Sequence, residues 1–201
     1  MKSLIFNTED VLAWKAGSKK LHFVKMRKQP DSHSWEFIKS HQLMFAMFEA
    51  DCGLFCKFWH KIDENPNSDG GELIRAPFRP GEKVYIRETW QGTKDCLSYK
   101  ASDPCQVVEF GYEPWRSPVT MPEWAARFHA IIKSVAPMQI QSVTTSECVQ
   151  YGLDWTDPMQ LVDDAGDDEI RERFANLYSD NHWDNNEWVW RTELQNTKGC
   201  L

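Results

Sequence analysis

The sequence predicts an α+β fold: a small mixed sheet curled into a barrel, with helices packed at its openings and an inserted β-hairpin. Three observations lead there. The stretch Pro80-Gly81-Glu82-Lys83-Val84-Tyr85-Ile86-Arg87-Glu88-Thr89-Trp90 opens on a turn dipeptide and continues as an alternating strand. Val84 and Ile86 take one face, Lys83, Tyr85 and Arg87 the other, and Glu88 to Trp90 emerge at its far end. Short alternating or aromatic runs recur along the chain, whereas helical signals are confined to three separated segments. Finally, 201 residues suit one domain with elaborations and can bury a sizeable core.

In chain order, residues 2–6 form a short strand, and Thr8 caps a helix over residues 9–16 that Gly17 ends. Glu9 and Asp10 suit the positive end of that helix and Lys15 the other. Residues 19–27 alternate basic groups with Leu21 and Phe23, as in a half-buried strand whose exposed side includes Lys20 and His22. Runs at 41–48 and 54–60, rich in Phe and Met, flank a turn and read as a hairpin. The loop Asn65-Pro66-Asn67-Ser68-Asp69-Gly70-Gly71 follows, so residues 31–76 form an insertion or lid on the single domain 1–201.

Residues 99–101 and 107–110 suggest two short strands, and 124–132 a helical turn running into a strand. Thr144 or Thr145 caps a helix with Glu147 in its first turn and Gly152 just past its end. Residues 167–178 form the clearest helix, with Ile170, Phe174 and Leu177 on one face. Residues 183–193 close the chain as a strand in which Trp188 and Trp190 share a face.

Composition bounds the function. Ten Trp and eleven Phe exceed a core's needs, which puts some of them at a groove or interface unless they lid the core at strand ends. The net charge of −7 excludes a general nucleic-acid coat, which would be basic. The charge is unevenly spread: residues 1–30 carry +5 and residues 151–201 carry −8. A basic edge of this kind suits one phosphate or a short single strand. The six cysteines make no C-x-x-C pair and no His pair has zinc-finger spacing, so neither a metal nor another cofactor is expected. With no secretory h-region and no apolar run long enough to span a bilayer, the chain reads as a reduced cytoplasmic protein without a membrane partner.

The 80–90 stretch is similar to the P-G-[DE]-x-[LV]-[YW]-[VI]-R-E-T-W segment of phage and prophage proteins with an ASCH domain, of PUA-like fold. The resemblance keeps its order over most of the chain: Gly17-Ser18-Lys19, the run Met121-Pro122-Glu123-Trp124-Ala125-Ala126-Arg127, Val143-Thr144-Thr145 with Gly152, and Glu187-Trp188-Val189-Trp190. It implies a phage-encoded protein, in the host cytoplasm, with a cleft beside the G-x-K turn that receives RNA or a modified nucleoside.

In the family's G-x-K-x-x-[ET]-x-R pattern, Gly17 and Lys19 match, whereas His22 and Val24 replace the other two residues. A ligand site would then draw on Lys19, His22, and Lys25 or Arg27 in place of the missing Arg, with Arg87, Glu88 and Trp90 on the neighbouring strand end. There Glu88 would bond a base edge stacked on Trp90. The bland alternatives are a surface lysine after a helix cap, and a strand end that tethers a loop.

Small relatives of similar topology hydrolyse the acetyl amide of acetylcytidine with a Lys, a Thr and a Glu. Lys19 meets the first position, His22 stands at the second and Tyr151 at the third, with Glu147 one helical turn earlier as a substitute carboxylate. Three functions therefore stay open: nucleotide or RNA binding; a host-defence inhibitor or other phage or host protein-interaction module that uses its acidic surface; and an amidohydrolase built on Lys19, His22 and Glu147.

Overall fold

The computed structural model of the chain describes residues 1–30, 43–60, 72–102, 114–153, 165–178 and 182–197. It opens with strand β1 (Ser3–Ile5), helix α1 (Thr8–Ala16) and strand β2 (Leu21–Lys25). Strands β3 (Leu43–Ala50), β4 (Gly53–His60) and β5 (Glu72–Arg75) follow, then β6 (Lys83–Arg87), β7 (Trp90–Thr93) and β8 (Cys96–Tyr99). The remainder holds β9 (His129–Gln139), α2 (Thr145–Tyr151), α3 (Ala165–Leu177) and β10 (Trp188–Asn196).

Five strands form a mixed sheet in the order β1-β6-β9-β10-β2, with β1 parallel to β6 and the other pairs antiparallel. The fold is α+β, but among the described residues there is no closed barrel, because the edge strands β1 and β2 do not pair. Helix α1 instead carries the chain from one edge to the other. Its N-cap is Asn7 rather than Thr8: the Asn7 side chain accepts from the Asp10 N–H, and Asp10 in turn accepts from the Asn7 N–H. This reciprocal pairing satisfies two backbone donors at once.

The sheet separates two apolar layers. Val84, Ile86, Ala130, Ile132, Trp190 and Leu194 face the three-stranded sheet β3-β4-β5, which contributes Leu54, Cys56, Phe58 and Ile74. On the other side, Leu21, Phe23 and Val189 meet α2 and α3 through Cys148, Tyr151, Ile170 and Phe174. The period-2 alternation of β10 thus sends Trp188 and Trp190 to one layer and Val189 to the other. Leu177, the third residue of the stripe expected on α3, lies exposed at the last turn.

The β3–β4 hairpin stands where the aromatic runs predict it, and β5 adds a third strand that no sequence signal announces. Residues 31–42 and 61–71 of the expected insertion lie outside the described residues. Of the strand pair expected at 99–101 and 107–110, residues 107–110 lie outside the described residues, and Tyr99 instead ends β8, which pairs with β7 as a hairpin. Gly92 permits this hairpin: any Cβ there would come within 2.0 Å of the Cys96 carbonyl oxygen, so only glycine lets these strands fold back this tightly. Strand β10 begins later than expected, because residues 182–186 form turns that include Asn186 at φ 47°.

Candidate functional site

Asp10, Lys19 and His22 cluster around Phe6 and Tyr151, where α1 meets the end of α2. Lys19 follows the Gly17 cap, yet its side chain turns inward: Nζ lies 2.8 Å from Asp10 Oδ1 and donates to the Tyr151 carbonyl at 2.7 Å. It also sits 3.3 Å from the centre of the Tyr151 ring and 5.2 Å from that of Phe6. The ammonium is wholly enclosed, with 0% side-chain exposure. Burial lowers the Lys19 pKa to about 8, against the opposing pull of Asp10. Lys19 is thus charged at neutral pH and fully committed to its partners.

Gly152 makes this arrangement possible. Its φ is +110°, and an added Cβ would lie 2.7 Å from the Ala13 Cβ and 3.5 Å from the Lys19 Cβ. A glycine here lets the end of α2 press against α1 and the Lys19 stem. His22 stands beside this cluster, between the rings of Phe6 and Tyr151 at 5.3 and 6.3 Å. The residue is half-buried as a whole, and its imidazole Nδ1 is enclosed without a hydrogen-bond partner. Burial, aided by the charge of Lys19, pushes the His22 pKa down to about 3, so the ring is neutral.

On the outer side of the same turn lies a cavity of about 400 Å³, lined by Trp14, Gly17, Lys19, Lys20, Lys133 and Glu193, with the chain from Leu194 to Asn196. Lys20 is exposed at its edge. Lys133 donates to Glu193 Oε1 at 2.6 Å, and this contact holds the Glu193 carboxyl below the usual range. Trp14 is almost entirely buried and its indole Nε1 has no hydrogen-bond partner. The cavity therefore offers two ammonium groups, a carboxylate and the amide side chains of Gln195 and Asn196. Asp10, Trp14, Lys20, Lys133 and Glu193 were not singled out as site residues from the sequence.

The β6 strand end forms a separate constellation. Glu88 is 1% exposed and holds Arg127 in a two-pronged pair, Nε to Oε1 and Nη2 to Oε2, both at 2.7 Å. Arg127 also donates to Ser102 Oγ and lies over the Tyr99 ring at 4.2 Å. Trp90 is buried, packed with Met121 and Ala125 and flanked by Trp124 and Arg116. It offers no open ring face for a base, and both Glu88 oxygens are engaged. The two sequence motifs R-E-T-W and M-P-x-W-A-x-R thus meet through the Glu88–Arg127 pair. Arg87 does the same work nearby, donating to Tyr85 Oη and to the Val119 carbonyl.

The remaining candidates are dispersed. Lys25 contacts His182 and lies 3.2 Å from Glu187, while Arg27 is exposed past the end of β2. Glu147 closes the capping box of α2: Oε2 accepts from the Thr144 N–H and hydroxyl, and Oε1 accepts from Arg191 Nε at 2.6 Å. Burial raises its pKa, but the Thr144 and Arg191 bonds outweigh that and leave it lowered. The structure brings Lys19 and His22 together and engages Glu147 elsewhere.

The +5 edge is also less free than its sequence suggests. Lys2, Lys19, Lys25 and Lys28 pair with Glu82, Asp10, Glu187 and Glu72 respectively. In the acidic final segment, Glu187 and Glu193 are likewise held, by Lys25 and Lys133.

Among the described residues no three His, Cys, Asp or Glu side chains gather as a metal would require. No described helix is long and apolar enough to cross a membrane. Comparison of the chain with protein-family models, with curated proteins and with solved structures gives no match.

Proposed function

We propose that this chain binds RNA or a nucleotide, modified or not, in the cavity beside the Gly17–Lys20 turn, as an ASCH-type, PUA-like protein, and that it does so without catalysis. The cavity carries the reading. Its volume of about 400 Å³ falls in the range of small-molecule sites. Lys20 and Lys133 supply charge for a phosphate, while Glu193, Gln195 and Asn196 supply acceptors and donors for a base edge. This moves the phosphate contact from Lys19, whose ammonium is spent on Asp10 and Tyr151, to the adjacent Lys20.

The same geometry supports binding over amide hydrolysis. To attack an acyl carbon, Lys19 would have to leave both partners and emerge from full burial. His22 is neutral with its Nδ1 enclosed, and both Glu147 oxygens are occupied. General acid and base groups each contribute roughly 100- to 10,000-fold, so a site without them turns over little.

Isothermal titration with cytidine monophosphate tests the proposal, alongside incubation with acetylcytidine followed by chromatography for cytidine. Saturable binding that weakens about tenfold or more in Lys20→Ala is expected, since a hydrogen bond to a charged group is worth about 1.5–3 kcal/mol. No binding, or binding indifferent to Lys20→Ala and Lys133→Ala, defeats it. Deacetylation that vanishes in Lys19→Ala restores the amidohydrolase.

A further inference from the structure

We propose that the Lys133–Glu193 pair in the cavity wall makes the site selective for guanine, an inference that rests on the cavity being the nucleotide site. A β-bulge builds the pair. Between β9 and β10 the register passes from Glu193 opposite Ser134 to Leu194 opposite Ile132, which leaves Lys133 as the extra residue of β9. Two neighbouring residues then oppose a single carboxylate, as a bulge allows. Lys133 Nζ donates to Oε1 at 2.6 Å and Ser134 Oγ to Oε2 at 3.3 Å. The pair stays open to the cavity, with side-chain exposures of 50% for Lys133 and 32% for Glu193. Lys20 adjoins it on the other side of β10, where its carbonyl accepts from the Leu194 N–H at 2.8 Å.

The pair is not used up by its own contact. An ammonium carries three N–H donors, and Lys133 commits one of them to Glu193; a carboxylate has about four lone-pair sites, and the Lys133 and Ser134 bonds leave one free on each oxygen. The Lys133 contact also keeps the carboxyl ionised at neutral pH, so it only accepts. Because the ammonium bonds Oε1 and the hydroxyl bonds Oε2, a base edge meets a donor followed by two acceptors. Among the four common bases, guanine presents the complement on its Watson–Crick edge: the O6 acceptor, then the N1–H and N2–H donors. Cytosine and adenine offer one exocyclic amine beside a ring-nitrogen lone pair, which would face the second carboxylate oxygen. Uracil offers one N–H between two carbonyls. Guanine therefore makes two parallel charge-assisted bonds to Glu193 where the others make one, and Lys20 remains for the phosphate.

Isothermal titration with guanosine, inosine, cytidine, adenosine and uridine monophosphates tests the assignment. Guanosine monophosphate should bind about tenfold or more tighter than the cytidine, adenosine and uridine nucleotides, the worth of one hydrogen bond to a charged group. Inosine monophosphate keeps O6 and N1–H but lacks the N2 amine, so it should bind about tenfold more weakly than guanosine monophosphate. Glu193→Gln, with folding checked by circular dichroism, should bring the guanosine and cytidine nucleotides within about threefold of each other, because an amide offers one acceptor atom where a carboxylate offers two. Lys20→Ala should weaken all five and keep their order. Equal affinity for all five, preference for another base, inosine bound as tightly as guanosine, or a guanine preference that survives Glu193→Gln overturns the guanine assignment; binding that still weakens in Lys20→Ala then leaves the cavity as a nucleotide site. Binding of none of the five overturns both.

Discussion

Replacing Lys19 by methionine tests whether its ammonium is structural. The folded-state pKa of about 8 lies below the ordinary 10.5 because burial opposes the charge. Between those values the unfolded chain binds the proton and the folded chain does not, so stability rises with pH across that window. The contribution is complete above 10.5 and is lost as pH falls through 8. Its size is about 3 kcal/mol, since each pKa unit is worth roughly 1.4 kcal/mol. Other groups titrate in this range, including Cys148, whose thiol burial pushes up to about 11. They are common to both proteins and cancel in the difference. Urea unfolding of wild type and Lys19→Met from about pH 7 to about pH 11 should therefore show the wild type's advantage growing by about 3 kcal/mol. A starting difference of about 3–5 kcal/mol is expected at neutral pH, where the variant leaves Asp10 buried without its partner. A flat difference would mean that the ammonium is solvated, and a shrinking one that Asp10 outweighs burial; either refutes the reasoning.

His22, neutral with a pKa near 3 against 6.5 unfolded, contributes stability that is full above pH 6.5 and lost as pH falls towards 3. His22→Phe should lose less stability over that range in acid urea titrations, and parallel losses would contradict this. Arg127→Met should lower the unfolding free energy by about 3–5 kcal/mol by stranding the buried Glu88, whereas Lys133→Ala, from an exposed pair, should change it by less than about 1 kcal/mol. Gly152→Ala meets both a positive φ and Ala13, so thermal unfolding should show a loss of more than about 1 kcal/mol. Thr144→Ala removes the α2 cap and should cost about 1 kcal/mol by the same assay.

Much of the fold was legible in the sequence because local chemistry and tertiary demand agree. Gly17 and Gly152 close their helices, Glu147 completes a capping box, and the aromatic runs become β3 and β4. Even the inward turn of Lys19 was readable: it shares the period-2 parity of Leu21 and Phe23, while Lys20 falls on the other side. Its partner Asp10 lies one helical turn before the buried Trp14, on the same face of α1. The family pattern implies an outward Lys19 at a ligand, whereas the strand parity turns it inward, where it is buried.

What the sequence hid is non-local. Strand β5 is defined by pairing with β4, and the open edge by the absence of pairing between β1 and β2. The Glu88–Arg127 pair joins residues 39 apart, and the cavity joins the Gly17 turn to β9 and β10. No spacing rule along the chain encodes such contacts.

Amide chemical shifts of isotopically labelled protein, followed during titration with cytidine monophosphate, test most directly whether the cavity is the nucleotide site. Saturable shifts should concentrate at Gly17, Lys20, Lys133, Gln195 and Asn196, with Lys20→Ala reducing their affinity and the amides around Glu88 and Arg127 staying still. Saturation without shifts at the Gly17 turn, or shifts centred on Trp90 and Arg127, would contradict the cavity as the nucleotide site.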